Sequence, residues 1–196
     1  MLSMAMAAPL LPFLPLAAKQ ILLNNFLSDV PSIAISSDNV DPDRMRRPQR
    51  WNIKDIRRFM IAFGLVSSVF DLVTFALLLL VFHADQPTFQ TFWFIVLLLT
   101  ELAVVLVSRT RRPALCSRPS HLLLWTTLVV AAGTLAISFL GPLSSIFGFV
   151  PISALQMSTV IAIVIGYIAA TEGAKVYFWR QLICPLFEVV LPEVWF

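Results

Sequence analysis

The chain has 196 residues, of which 59% are hydrophobic and only 13% are charged, with a net charge of +3. Globular domains are about half apolar and about a quarter charged, so this composition excludes a small water-soluble fold, and its apolarity excludes disorder. Two cysteines exclude a disulfide framework, and the basic excess serves membrane topology rather than nucleic-acid binding once its positions are considered.

A helix that crosses a bilayer needs roughly 20 mostly apolar residues. The first apolar region, residues 1–37, is interrupted by Pro9, Pro12 and Pro15, each lacking a backbone donor and crowding the turn before it. It reads as the end of one helix over 1–9, a tight connection over 10–15 and a full helix over 16–37. Nine helical residues cover only about 13 Å, so the first helix is expected to start upstream of this chain. Residues 1–18 contain no Lys or Arg, unlike the basic start of a signal peptide.

The 16–37 helix carries the run Gln20-Ile-Leu-Leu-Asn24-Asn25-Phe-Leu-Ser28-Asp29-Val-Pro31. Asn25, Ser28 and Asp29 stand at i, i+3 and i+4, which places amide, hydroxyl and carboxylate oxygens along one helical face. Pro31 has no N–H, so the Leu27 carbonyl loses its helical partner. Freed carbonyls beside a carboxylate suit a hard cation, and interrupted helices at mid-membrane build ion sites. The alternative is a proline-containing helix with polar packing contacts. Lys19, near the outer end, is expected to snorkel outward or pair with an acid.

Residues 38–58 form a polar linker with seven basic residues, Arg44, Arg46, Arg47, Arg50, Lys54, Arg57 and Arg58. The next apolar window, 59–82, contains Asp71, whose neighbours Ser67, Ser68 and Thr74 are close enough to satisfy it locally. Residues 83–90 hold no Lys or Arg. The window 91–108 contains Glu101 near its middle. It reads either as a hydrogen-bonded glutamate between helices or as a carboxylate sharing a cation with Asp29. Linker 109–120 carries Arg109, Arg111, Arg112 and Arg118. Window 121–140 is uncharged, linker 141–154 has no basic residue, and window 155–178 ends with Glu172 and Lys175, spaced to pair at an interface. The stretch 181–196 is apolar, too short to span, and broken by Pro185 and Pro192.

Ionisable groups within the hydrocarbon layer are costly and point to function, which leaves Asn25, Ser28, Asp29 and Glu101 as candidate metal ligands. Soluble chemistry is not indicated. No glycine-rich phosphate loop is present, His83 and His121 have no ligand-spaced partner, and Cys116 and Cys184 are isolated. Eleven of the fourteen basic residues lie in linkers 38–58 and 109–120. The positive-inside rule makes those linkers cytoplasmic.

The order of motifs resembles a known family. The run from Leu11 to Trp51 is similar to the fifth-to-sixth helix junction, sixth helix and following loop of P-type cation-transporting ATPases. Asn25, Ser28 and Asp29 resemble the sixth-helix cation ligands of the calcium-pump branch. Asp38-Asn-Val-Asp41-Pro, Arg47-Pro48-Gln-Arg50-Trp51, Arg58-Phe-Met-Ile-Ala-Phe-Gly64, Ser67-Ser68-Val-Phe-Asp71 and Arg109-Thr-Arg111-Arg112-Pro113 are closer to bacterial magnesium-transporting P-type ATPases. The resemblance covers residues 1–180. It implies an all-α integral membrane bundle with five full spans and the end of a sixth at the N-terminus, the family's helices five to ten. It places Glu101 on the eighth helix, where the calcium-pump branch has a ligand glutamate and many magnesium pumps have an amide.

The resemblance also implies magnesium as the transported ion, a multi-pass location in the bacterial plasma membrane, and the N-terminal part of the pump as a partner beside the lipid bilayer. ATP would enter only through domains outside this chain, which has no Asp-Lys-Thr-Gly phosphorylation motif. The family is an ATP-driven cation translocase, whereas this chain alone is expected to be inactive. A non-enzymatic membrane subunit or assembly partner, or a small independent channel or carrier, stand as alternatives. The charge asymmetry yields a direct test of topology. In intact cells an impermeant thiol reagent should label Asp85→Cys and spare Gln49→Cys; labelling at position 49 would reverse the assignment.

Overall fold

The computed structural model describes residues 13–38, 53–110, 119–139 and 141–190. The expected helix end over 1–9 lies outside the described residues, as do most of both basic linkers and residues 191–196. Among the described residues the fold is entirely helical. Helix α1 is Ala18–Ala34, followed by a 3-10 turn Ile35–Ser37. Helix α2 is Ile53–Ala76 and passes into a π-helical turn, Leu77–Val81. Helix α3 is Gln86–Ser108, α4 is His121–Ala136 with a 3-10 turn Ile137–Phe139, α5 is the short Gly141–Phe147, and α6 is Ala154–Val190.

Local chemistry explains the helix starts. The Gln20 side chain reaches back to accept from the Ala17 N–H at 3.0 Å, occupying a donor that the first turn leaves free. Pro87 lies in the first turn of α3, where its missing N–H costs nothing. Ser120 caps α4 by accepting from the Leu123 N–H at 3.2 Å. Helix α2 already includes Ile53, ahead of its apolar window, because basic residues such as Arg57 and Arg58 are good helix formers. Residues 181–190, read from sequence as a separate tail, continue α6 as helix through Pro185.

Four of these helices are long and apolar enough to cross a membrane, over 57–81, 86–108, 121–139 and 154–176. Helix α3 is the hub. Two-thirds (67%) of its apolar window is buried, against 17%, 28% and 22% for the others. It packs on α1, α4 and α6, while α1 also meets α4 and α2 meets α6. Its side chains Phe89, Phe92, Trp93, Phe94, Ile95 and Leu98 have no exposed surface. Phe75 of α2 packs on Trp93 at 4.3 Å between ring centres, and Phe94 meets Phe149 at 4.7 Å. By contrast Met60, Leu65 and Leu80 on α2, Trp125 and Val129 on α4, and Leu155 and Ile165 on α6 are turned outward. So much outward apolar surface is not viable in water and is ordinary in lipid. The fold is that of a multi-pass helical membrane protein.

Polar ties hold the two ends of the bundle. At one end Asp38 Oδ2 pairs with Arg109 at 3.0 Å and its Oδ1 accepts from the Ser120 N–H at 2.8 Å. Lys175 donates to the Val107 carbonyl at 2.9 Å and pairs with Glu172 at 3.2 Å, as its i+3 spacing predicts. At the other end Lys19 donates to the Ile146 carbonyl and Gln20 to the Phe147 carbonyl at 3.1 Å. Lys19 thus meets a backbone acceptor at a helix C-terminus, where a cation is favoured, instead of an acid. Gly148, at φ 76°, makes the left-handed turn that ends α5 there.

Asp38, Arg109 and Ser120 stand where the two basic linkers begin or end, so both linkers leave the bundle at the same end. Removing the Asp38 carboxylate takes away a partner of a buried guanidinium and a backbone acceptor. Asp38→Ala should lower unfolding free energy in detergent by about 2–3 kcal/mol, measured by denaturant titration of helical signal. A change below about 0.5 kcal/mol, the range of ordinary surface substitutions, would show that the tie carries no stability.

Candidate functional site

The buried strip of α1 is Gln20, Asn24, Pro31 and Ala34. These positions recur at helical spacing and form the side that packs on α3 and α4. Asn24 is therefore directed at the hub helix and is only 1% exposed. Its Nδ2 donates to Glu101 Oε2 at 2.9 Å. Ser28, one turn further along, is half-buried and within hydrogen-bonding reach of the same carboxylate. Its hydroxyl also donates to the Asn25 carbonyl at 3.1 Å. Glu101 itself is half-buried.

Asn25 and Asp29 have a different setting. They are one turn apart, rotated by about 100° from Asn24 and Ser28, and both are exposed on the open side of α1. Their neighbours on the outward surface are Leu22, Phe26 and Ile33. The structure therefore brings Ser28 and Glu101 together and leaves Asn25 and Asp29 facing away from the bundle. Among the described residues no three His, Cys, Asp or Glu side chains cluster as a metal site. Asn24 was hidden in the sequence by the Asn24-Asn25 doublet. Its signal was the i+4 spacing from Gln20 and to Ser28.

The remaining membrane acid, Asp71, is 9% exposed on α2. The Tyr167 ring of α6 packs edge-on to Phe70 at 5.4 Å. The Ser67 hydroxyl lies within reach of Tyr167, and Thr74 donates to the Phe70 carbonyl at 2.8 Å. Asp71 sits close enough to Tyr167 and Glu101 to act on both electrostatically. Asp71→Asn should lower the yield of folded protein several-fold while leaving any metal response of the folded fraction intact, as judged by size-exclusion chromatography followed by metal titration. A full yield with an altered metal response would assign Asp71 to the ion site.

A multi-pass bundle whose mid-depth polar groups are carboxylates, carboxamides and a hydroxyl has the make-up of the membrane part of a cation transporter. The chain belongs to the family described as "Cation transporting ATPase, C-terminus", whose profile matches residues 13–177. It is 40% identical over 187 residues to the magnesium-transporting ATPase, P-type 1, of Salmonella typhimurium (strain 14028s / SGSC 2262), covering 91% of this chain and 20% of that protein. The same figures hold for the Escherichia coli (strain K12) protein of that name. A further magnesium-transporting ATPase, P-type 1, from Salmonella typhimurium (strain LT2) is 33% identical over 184 residues, again covering 91% and 20%. The chain spans about a fifth of the length of the curated relatives it matches.

Proposed function

We propose that this chain is the C-terminal membrane part of a P-type pump in the bacterial plasma membrane, that its cargo is magnesium, and that it supplies part of the intramembrane ion site. One observation carries the reading. Asp29 and Asn25 stand side by side on the outward face of an apolar helix, in the middle third of α1. A carboxylate bare to hydrocarbon costs several kcal/mol. A cation held between it and neighbouring protein oxygens removes that cost. The covering oxygens would come from the larger part of the pump, which the curated relatives contain and this chain does not span.

In this reading Asn25 and Asp29 offer an amide and a carboxylate oxygen on the outward flank of α1, and Ser28 and Glu101 a hydroxyl and a second carboxylate on the side toward α3, all oxygens of the kind that a hard divalent cation takes. Pro31 leaves the Leu27 carbonyl without its helical donor and adds one more oxygen beside Asp29. Helix α1 acts as a fifth span: its 17 residues with the 3-10 turn reach about 31 Å. Both basic linkers lie on the cytoplasmic side, a reading supported by their shared exit at Asp38, Arg109 and Ser120. ATP hydrolysis belongs to the part of the pump outside these residues.

The test joins this chain to the catalytic part of the pump and measures magnesium-dependent ATPase activity, normalised to folded protein. Asp29→Asn keeps the shape and removes the charge that the cation must offset. It should cut activity to the metal-free background. Glu101→Gln should cost only a few-fold, because the amide keeps an oxygen ligand and magnesium retains some of its waters. Unchanged metal dependence in Asp29→Asn would leave α1 as a packing helix with a proline in it.

A further inference from the structure

Helix α1 carries a charge that opposes its own dipole preference. The peptide dipoles of a helix leave its N-terminal end positive, so a cation in the first turn is unfavourable and a carboxylate is favoured. The first turn of α1 has no acid and holds Lys19. The Lys19 Nζ reaches across to the Ile146 carbonyl near the end of α5, and among the described residues it pairs with no carboxylate. At the opposite end Asp38 is matched by Arg109 at 3.0 Å. A positive charge unmatched by an acid thus stands at one end of the helix only, and it adds to the dipole instead of offsetting it. Departures of this kind from local rules are expected at functional sites.

The exposed flank of α1 is polarised in the same direction. Ala18, Leu22, Asn25, Asp29, Ser32 and Ser36 recur at steps of three and four residues, which places them along one side of the helix and its closing turn, and all six are exposed. From Asn25 to Ser36 this line is polar, and from Leu22 to the N-terminal end it is apolar. The Ser32 and Ser36 hydroxyls donate to the Ser28 and Ile33 carbonyls at 2.9 and 2.8 Å. Their hydrogens are used within the helix, so the oxygens meet the flank as acceptors, which suits a cation. Lys19 stands about 15 Å from Asp29 along the axis, beyond the apolar part of the line. The medium between them is helix and lipid, which screens charge far less than water does.

We propose that Lys19 is an electrostatic stop on the outer side of the cation held at Asp29. Its fixed charge lowers the affinity for that cation and tilts the path along α1 toward Ser32, Ser36 and the cytoplasmic end. Lys19 acts through its field and touches neither the cation nor its carboxylate. The tie to the Ile146 carbonyl gives the charge its place, since a lysine free to bend along the helix would drift toward Asp29 and neutralise it. The inference rests on the proposed reading of Asp29 as the cation's carboxylate and of the basic linkers as cytoplasmic.

The test uses the pump restored by joining this chain to the catalytic part, in sealed vesicles. ATP and magnesium on the cytoplasmic side are held fixed and outer-side magnesium is varied. The readout is the outer-side concentration that gives half of its effect on ATP hydrolysis. Lys19→Gln keeps a donor and loses the charge. It should lower that concentration at least about threefold, and the difference should shrink as salt is raised. Lys19→Met, a second neutral variant in case the first folds poorly, should do the same, while Lys19→Arg should match the wild type. A purely structural tie predicts the opposite sign, because loosening an anchor weakens a site. An unchanged or raised concentration in the neutral variants would overturn the proposal, as would an arginine variant that shifts with them or an outer-side effect absent from every variant. The two readings fail separately. An inactive Asp29→Asn with an unshifted Lys19→Gln removes only the stop, whereas an active Asp29→Asn removes the pump site and this inference with it.

Discussion

The hydrogen bond from Asn24 to Glu101 sets the rotation of α1 in the bundle. Glu101 lies on the hub helix, most of whose apolar length is buried. A carboxylate there must be met by polar groups, because the surroundings screen charge poorly and offer few other partners. Helix α1 meets it with Asn24 and Ser28. Once that side is engaged, helical geometry turns Asn25 and Asp29 about 100° away from it, onto the exposed flank. The open carboxylate is thus a consequence of the buried one being satisfied.

The larger features of the fold were legible because they depend on composition over long windows. The apolar windows 91–108 and 155–178 each fall within one helix of the structure, and those beginning at residues 59 and 121 are helical through residues 81 and 139. Helix limits were less legible. Hydropathy fell off at Arg57 and Arg58, but α2 reaches back to Ile53, since long basic side chains do not oppose helix and tolerate an interface. The tail after residue 181 looked separate because of Pro185, and α6 absorbs that proline within a longer helix.

The candidate site was legible in its residue types and not in its orientation. The i, i+3, i+4 spacing of Asn25, Ser28 and Asp29 correctly marked a polar stretch. It could not say how α1 turns about its axis, because apolar residues lie on both sides of that helix. Leu22 and Ile33 face outward, while Leu23 and Leu27 pack toward the core. The turn is set by Glu101, 77 residues from Asn24. Lys19 shows the same limit. Its partner is a backbone carbonyl on a short helix far along the chain, and a carbonyl has no residue type for a pattern to reveal.

The two end ties give α1 a mechanical character. Lys19 and Gln20 pin one end to the α5 terminus, and Asp38 pins the other to Arg109 and Ser120. A rod clamped at both ends cannot slide or tip as a rigid body; it can only flex between its supports. Pro31 deprives α1 of a rung in its hydrogen-bond ladder two residues beyond Asp29, so the segment of least bending stiffness is next to the exposed carboxylate. A force applied to the open flank would move Asp29 sideways by bowing the helix while both anchors, and the loops tied to them, stay where they are.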